Sequence, residues 1–390
     1  MKILNISYIL PMEGREKENR IVLDLQDYLT DRYSHSYKNI KLLPYTNNFL
    51  STKNKKWAIY YKYLKKRMIN LDGYTTTILP WFSPPTSNYV VSYLMLPFNW
   101  ILFHCRLYSK LRPTIKDCDL IITQTLFPDA IVGFWIHKKT GLPYIMNLRG
   151  PIPKYFIHLP FIRSVFNKAS KVITASPTNY DKFKNKMKID FLPHPVDDIF
   201  FKDLKKTYNY PSLISVCRLI KLKNLDYVIH ALFELKNKGY KFDYTIIGDG
   251  EELPKLKKLV TQMELDKEII FKGWIDNKNE TIKLLSKSHI FVMPSFPETL
   301  GRSFLEAAAL KCLCIGHEKT GVDGLFTNNE SALFVNKKSL APTLENIFSS
   351  FSEKKLSIFT DNAYKIVEKI NWKSIGKKYS STYKKAIKHV

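Results

Sequence analysis

PSFPETLGRSFLEAAALKCLC, residues 294–314, sets two glutamates eight positions apart: Glu298 in a Pro-containing loop and Glu306 on the helix that the next residues suit. SHIFVMPS (288–295) and, further back, IIFKGW (269–274) are short apolar runs of the kind that form buried strands. Glu298 therefore falls just past a strand's carboxyl end, where open α/β sheets bind their ligands. Eight helical residues advance about 12 Å, so the two carboxylates cannot be the close pair, about 5 Å apart, that cleaves a glycoside with retention. Separate tasks follow. Glu298, beside the free N–H groups that open the helix, is placed to meet developing positive charge, while the backbone of Thr299, Leu300 and Gly301 meets ligand oxygens. Glu306, two turns deeper, is placed to accept hydrogen bonds. Taken alone, the pair also reads as an acid near a helix start, which the helix dipole favours, plus one solvated helical glutamate.

Upstream, LISVCRLIKLKNLDYVIHALFELKNKG (213–239) runs from a strand through Arg218 and Lys223 into an amphipathic helix closed by Gly239. Two cations in a strand-to-helix loop can hold a diphosphate, the arginine as a planar fork and the lysine as a point charge. In a chain this rich in lysine the same two residues also read as a solvated surface. FDYTIIGDGEE (242–252) is a strand ending in Gly248-Asp249-Gly250-Glu251, whose glycines permit a tight turn and close backbone approach. By itself this is a turn.

The order of these segments carries more than any one of them. A strand followed by R-x4-K and a helix, a strand followed by GxGxE, and then E-x7-E resembles the donor domain of the retaining family-4 glycosyltransferases. The resemblance is specific over 213–335 and weaker before residue 145. It implies an α/β fold of GT-B type, two Rossmann-like domains with parallel sheets facing across a cleft, and transfer with retention from a nucleotide-sugar, UDP- or GDP-linked, with no metal or other cofactor. It also implies that Arg218, Lys223 and Gly248 serve the nucleotide diphosphate, that Glu298 is the catalytic contact to the transferred sugar, and that Glu306 holds the ribose. Gly14, in the loop after the first strand MKILNISYIL, resembles the glycine that lets this loop approach the donor phosphates, and reads equally as part of a plain turn. Two segments depart from the family. Leu310-Lys311-Cys312-Leu313 stands where a small-Gly-x-Pro stretch is usual, and His194-Pro195 replaces the middle pair of P-N-G-V-D.

A chain of 390 residues exceeds the usual single-domain range. FLPHPVDDIFFKDLKKTYNYPS (191–212), with its prolines and turn formers, is the natural boundary. The expected division is an acceptor-binding domain over 1–195, a donor-binding domain over 196–370, and a closing helix over 371–390 that the resemblance returns to the first domain. In the first domain, DLIITQTLF (119–127) and PYIMNLRG (143–150) read as buried strands. Arg149 then sits at a strand's carboxyl end as a second catalytic candidate, with an ordinary ion pair as the alternative.

The five cysteines lack paired spacing, so neither a disulfide framework nor a zinc site is expected, and a reducing cytoplasm fits. The net charge of +26 calls for an anionic partner. Residues 32–71 hold ten Lys or Arg and no acid, and KKWAIYYKYLKKRMIN (55–70) has a helical pattern that sets Trp57, Tyr61, Leu64 and Met68 on one arc. Lys62, Lys65, Lys66 and Arg67 flank it, so this basic face is expected to meet an anionic membrane surface, or else to pack on its own domain. YVVSYLMLPFNWILF (89–103) offers a second apolar surface, too short at 15 residues for the roughly 20 that span a bilayer. The expected protein is a hexosyltransferase, peripheral on the inner face of the membrane, moving sugar to a lipid-linked glycan acceptor of a surface polysaccharide. An epimerase of the same architecture is the nearest alternative. A nucleic-acid-binding protein is another, suggested by charge and aromatics but supported by no recognition motif, and no nucleic-acid partner is expected.

Overall fold

The structure, a computed structural model, describes residues 1–11, 20–44, 68–81, 89–150, 152, 154–202 and 210–388. The chain forms two compact units. One comprises Met1–Ala175, Phe183–Leu192 and Gly376–Val390, and the other Ser176–Lys182 and Pro193–Ile375.

The first unit is built on an eight-stranded sheet ordered β3-β4-β2-β1-β5-β6-β7-β8. Its strands are β1 (Lys2–Ser7), β2 (Ser36–Pro44), β3 (Met68–Leu71), β4 (Tyr74–Trp81), β5 (Leu120–Thr123), β6 (Tyr144–Leu148), β7 (Lys171–Thr174) and β8 (Ile189–Phe191). All pairings are parallel except β3 with β4. Every residue of β5 and β6 is buried, which is why these strands read as unbroken apolar runs and not as alternating ones.

The β3–β4 hairpin corrects one expectation. Met68 lies in β3, paired with Thr77, and not on a helical arc with Trp57 and Tyr61. The cause is local: Asp72 and Gly73 both adopt positive φ (49° and 84°), the turn geometry that joins two antiparallel strands through two residues. Trp57, Tyr61, Lys62, Lys65, Lys66 and Arg67, and also Gly14, lie outside the described residues.

The second unit has an all-parallel six-stranded sheet ordered β11-β10-β9-β12-β13-β14. Its strands are β9 (Ser212–Val216), β10 (Asp243–Ile247), β11 (Ile269–Gly273), β12 (Ile290–Met293), β13 (Leu313–His317) and β14 (Leu333–Val335). From β9 the chain winds outward through β10 to β11, then returns to the other side of β9 for β12 and winds the opposite way. The connections after β9 and β12 therefore set off in opposite directions across the sheet, and the strand order reverses between them, the place where such sheets bind ligands. Beneath it lies a core that joins the helix Leu225–Asn237 to the sheet through Val228, Ile229, Leu232, Ile246 and Val292, all essentially inaccessible.

The helix Trp372–Lys388 begins in the second unit and ends in the first. Within the first unit Tyr379 donates to the Leu192 carbonyl (3.0 Å), and Gly376 lies against the ring of Tyr28 so closely that a Cβ would come within 2.2 Å of it.

Candidate active site

Two hydrogen bonds, one from a side chain and one within the backbone, stitch the loops at the reversal point together. Asn224, at positive φ, donates its side-chain amide to the Pro294 carbonyl (2.8 Å), and the Phe296 N–H reaches the Leu222 carbonyl (2.9 Å). The result is a contact between two residues far apart in sequence: Lys223 Nζ lies 2.5 Å from Glu298 Oε2. Both side chains are less than one-fifth exposed, so this pair is screened less than a surface ion pair. Arg218, on the same loop as Lys223, is exposed and makes no ion pair among the described residues.

Glu298 is fixed on every side. Its N–H donates to Thr320 Oγ1 (2.7 Å), whose hydroxyl donates back to the Glu298 carbonyl (2.9 Å); that carbonyl also accepts from the Gly321 N–H (3.0 Å). Glu298 Oε1 accepts from the Thr299 N–H (3.0 Å). Of the backbone donors expected to face a ligand, that of Thr299 is thus occupied by the carboxylate. The N–H groups of Leu300 and Gly301 have no acceptor among the described residues. They lead directly into the helix Arg302–Ala309, whose first N–H groups are left open by helix geometry.

Thr320 and Gly321 escaped the sequence reading. They follow β13, the neighbour of β12, and the signal was their place directly after a strand in GHEKTGV (316–322), which lacks the expected glycine pattern.

Gly248 shapes the site from behind. It sits at φ 137°, and a Cβ there would lie 1.8 Å from the Cys217 carbonyl oxygen. The turn after β10 thereby presses on the loop that carries Arg218: Cys217 N–H bonds to the Ile247 carbonyl (3.0 Å) and Leu219 N–H to that of Asp249 (2.9 Å). Burial pushes the Cys217 thiol up to about 12, so it stays protonated and inert beside these cations.

Glu306 stands apart from the Lys223–Glu298 pair. Burial raises its carboxyl above the usual range, Arg302 (3.7 Å) and Lys278 pull it back, and Asp197 pushes it up again. Asp197 and Lys278 are themselves paired at 3.0 Å. Asp197 belongs to the segment His194-Pro195-Val196-Asp197, which also anchors the unit through the Val196 N–H bond to Ile370 (2.8 Å). His194 is fully buried, its ring edge-on to Trp372, so it is a packing residue here.

In the first unit Arg149 does stand at the end of β6, but its side chain is only 9% exposed. Its Nε donates to Gln124 Oε1 (2.8 Å), the start of a buried chain of amides in which Gln124 donates to Asn5 (2.7 Å) and Asn5 to Asn39 (2.8 Å). Both Arg149 Nη atoms are buried and, among the described residues, meet no hydrogen-bond acceptor at bonding distance, although the Tyr379 hydroxyl lies close enough to interact with the guanidinium. Asp129, also buried, accepts the Tyr8 N–H (2.8 Å), while Lys41 donates to the Leu10 carbonyl; together they hold the residues after β1. Among the described residues no group of three or more His, Cys, Asp or Glu side chains is arranged to hold a metal ion, and no helix is long and apolar enough to cross a membrane.

Residues 196–366 match the family model described as Glycosyl transferases group 1. Alpha-monoglucosyldiacylglycerol synthase of Streptococcus pneumoniae is 25% identical over 276 residues, 61% of each chain. UDP-Gal:alpha-D-GlcNAc-diphosphoundecaprenol alpha-1,3-galactosyltransferase of Escherichia coli is 28% identical over 130 residues, 33% of each. The chain thus spans less than two thirds of the length of either relative. Sucrose-phosphate synthase of Thermosynechococcus elongatus superposes over the whole of both chains with a TM-score of 0.72 at 15% identity. That likeness concerns the fold, which is GT-B: two α/β units, each on a parallel-dominated sheet.

Proposed function

We propose, from the match of residues 196–366 to the family model described as Glycosyl transferases group 1, that this chain is a retaining hexosyltransferase. It moves sugar from a UDP- or GDP-linked donor to a lipid-linked glycan acceptor in surface polysaccharide or glycolipid assembly. The observation that carries the reading is the meeting of Lys223 and Glu298 at 2.5 Å, at the point of strand-order reversal and directly before an open helix N-terminus.

The chemistry follows from charge. As the bond between the anomeric carbon and the diphosphate breaks, negative charge grows on the leaving oxygens and positive charge on the sugar. Arg218 and Lys223 meet the first, with the N–H groups of Leu300 and Gly301; Glu298 meets the second. An acceptor hydroxyl then bonds to the anomeric carbon, and its proton leaves with the diphosphate. Glu306, set apart beside Asp197, takes the ribose hydroxyls, and Arg149 makes a donor or acceptor contact. Gly14, by the same reading, lets the loop after β1 near the donor phosphates. The two relatives, by name a monoglucosyldiacylglycerol synthase and a galactosyltransferase acting on a diphosphoundecaprenol, support a lipid-linked acceptor. Attachment to the inner membrane face, with Trp57, Tyr61, Lys62, Lys65, Lys66 and Arg67 at an anionic surface, belongs to the same proposal.

Incubation with a panel of nucleotide sugars and membrane lipid extract, followed by mass analysis, tests it. Free nucleoside diphosphate together with a lipid heavier by one hexose is the expected result. An isomerised donor with no gain of mass in any lipid would make the protein an epimerase.

A further inference from the structure

Facing away from the sheet of the first unit, the helices Tyr89–Leu94 and Leu96–Leu102 leave Leu94 (70%), Ile101 (54%) and Trp100 (49%) exposed. Isolated exposed apolar residues are ordinary, but Leu94 and Trp100 border a common groove. Leu94, Leu96, Pro97 and Trp100 form one wall, and Trp135 and Phe161, from the helices Ile131–Thr140 and Pro160–Lys168, form the other. The groove's volume is about 340 Å³, at the lower end of the range of small-molecule sites. Among the described residues, none of the side chains that line it is charged.

Charge decides what fits. From Gly73 to Lys116 the chain has no Asp or Glu, while Arg106, Lys110, Arg112 and Lys116 all follow the groove segment in sequence. An apolar slot on an acid-free, basic stretch is complementary to an amphiphile with a hydrocarbon chain and an anionic head. Arg106 and Lys110 stand about two to three helical turns past Trp100 on the continuous helical run 96–115, where a phosphate at the end of a bound chain would meet positive charge.

We infer that this groove binds the hydrocarbon chain of a lipid carrying a phosphate or diphosphate head, the acceptor lipid itself. The inference rests on the reading of the chain as a transferase to lipid-linked acceptors and names where such an acceptor is held.

Decyl phosphate, used below its micelle-forming concentration, is the probe, with inorganic phosphate and a neutral decyl glycoside for comparison. Calorimetry on the full chain is expected to show decyl phosphate bound at one site, the neutral amphiphile bound more weakly, and inorganic phosphate unable to displace either. Leu94→Glu and Trp100→Ala change exposed residues and are expected to keep the wild-type melting temperature. Each weakens decyl phosphate by about tenfold, roughly the contribution of two buried methylenes. Unchanged affinity in both variants, or no binding to the wild-type protein, overturns the inference. So does a concentration-dependent dimer in sedimentation that Leu94→Glu dissolves, since the face would then be covered by a second copy of the chain. The parent reading fails separately. Leu94-dependent binding without any sugar transfer sinks the transferase and leaves the groove, whereas transfer to lipid that is indifferent to Leu94→Glu does the reverse.

Discussion

Lys223 is assigned to a diphosphate, yet its ammonium already holds the Glu298 carboxylate at 2.5 Å. One cation shared by a carboxylate and a phosphate makes the two residues energetically dependent. Glu298→Gln is expected to lower turnover about a hundredfold with little change in melting temperature. Lys223→Ala is expected to weaken nucleoside diphosphate binding by about 1.5–3 kcal/mol. In the double variant the losses in donor binding should differ from their sum by more than about 0.5 kcal/mol. Calorimetry and steady-state kinetics on the four proteins measure this, and additivity would mean that the ion pair plays no part in the donor site. Arg149 poses a different question, because among the described residues its two buried Nη atoms meet no acceptor at bonding distance. Unsatisfied buried donors are destabilising, so Arg149→Met should melt at the same temperature or higher. If the arginine is kept for a ligand, transfer should nevertheless fall by about tenfold or more, the scale of one charged hydrogen bond. Unchanged transfer would make it a scaffold residue.

Elements explain why some of this could be read from the sequence and some could not. Parallel strands buried on both faces have to be apolar throughout, so β5, β6 and β12 announced themselves as runs, and the spacing of Arg218, Lys223, Glu298 and Glu306 placed those residues after strands or on the next helix. The Asp72-Gly73 signal for the β3–β4 hairpin was also present, but a helical periodicity in the lysine-rich stretch before it was followed too far, through Met68. Thr320 lay beyond local reading, since its bonds to Glu298 depend on β13 lying next to β12 and not on any neighbour in sequence. Arg149 could be placed at a strand end, but the direction of its side chain is set by Gln124 and the amide chain behind it. Gly248 looked like a residue that admits a ligand, and the structure gives it a second task, admitting the Cys217 carbonyl. Gly248→Ala should therefore cost at least about 2 kcal/mol in denaturant unfolding, from both the positive φ and the clash. A loss confined to donor affinity, with stability intact, would contradict that task.

Across the whole molecule, two buried groups with opposite responses to pH share one unit. Burial, then the terminal amine and Lys384, hold His35 at about 4, below its usual 6.5. The unfolded chain therefore takes a proton that the fold refuses, and stability falls as pH drops through that interval. Burial holds Asp129 at about 7, far above 3.8, so the fold keeps a proton that the unfolded chain releases, and stability falls as pH rises through that interval. Between roughly pH 4 and 6.5 the two oppose each other, with slopes of up to about 1.4 kcal/mol per pH unit each. His35→Asn should accordingly lose stability with rising pH relative to the wild type, and Asp129→Asn should gain it; denaturant midpoints at several pH values read both slopes, and parallel profiles for all three proteins would refute the assignment. His35 also marks a feature of the architecture, for its neighbours Ser380 and Tyr383 lie on the helix that ends the described chain. Residues 376–388 belong to the first unit, yet they follow the whole of the second in sequence. On a ribosome, which delivers the chain from its amino end, the first sheet is made early but cannot close its core over Tyr28 and His35 until the other unit has already been synthesised. The order of manufacture and the order of completion are reversed, and the early half must wait, incomplete, for the late one.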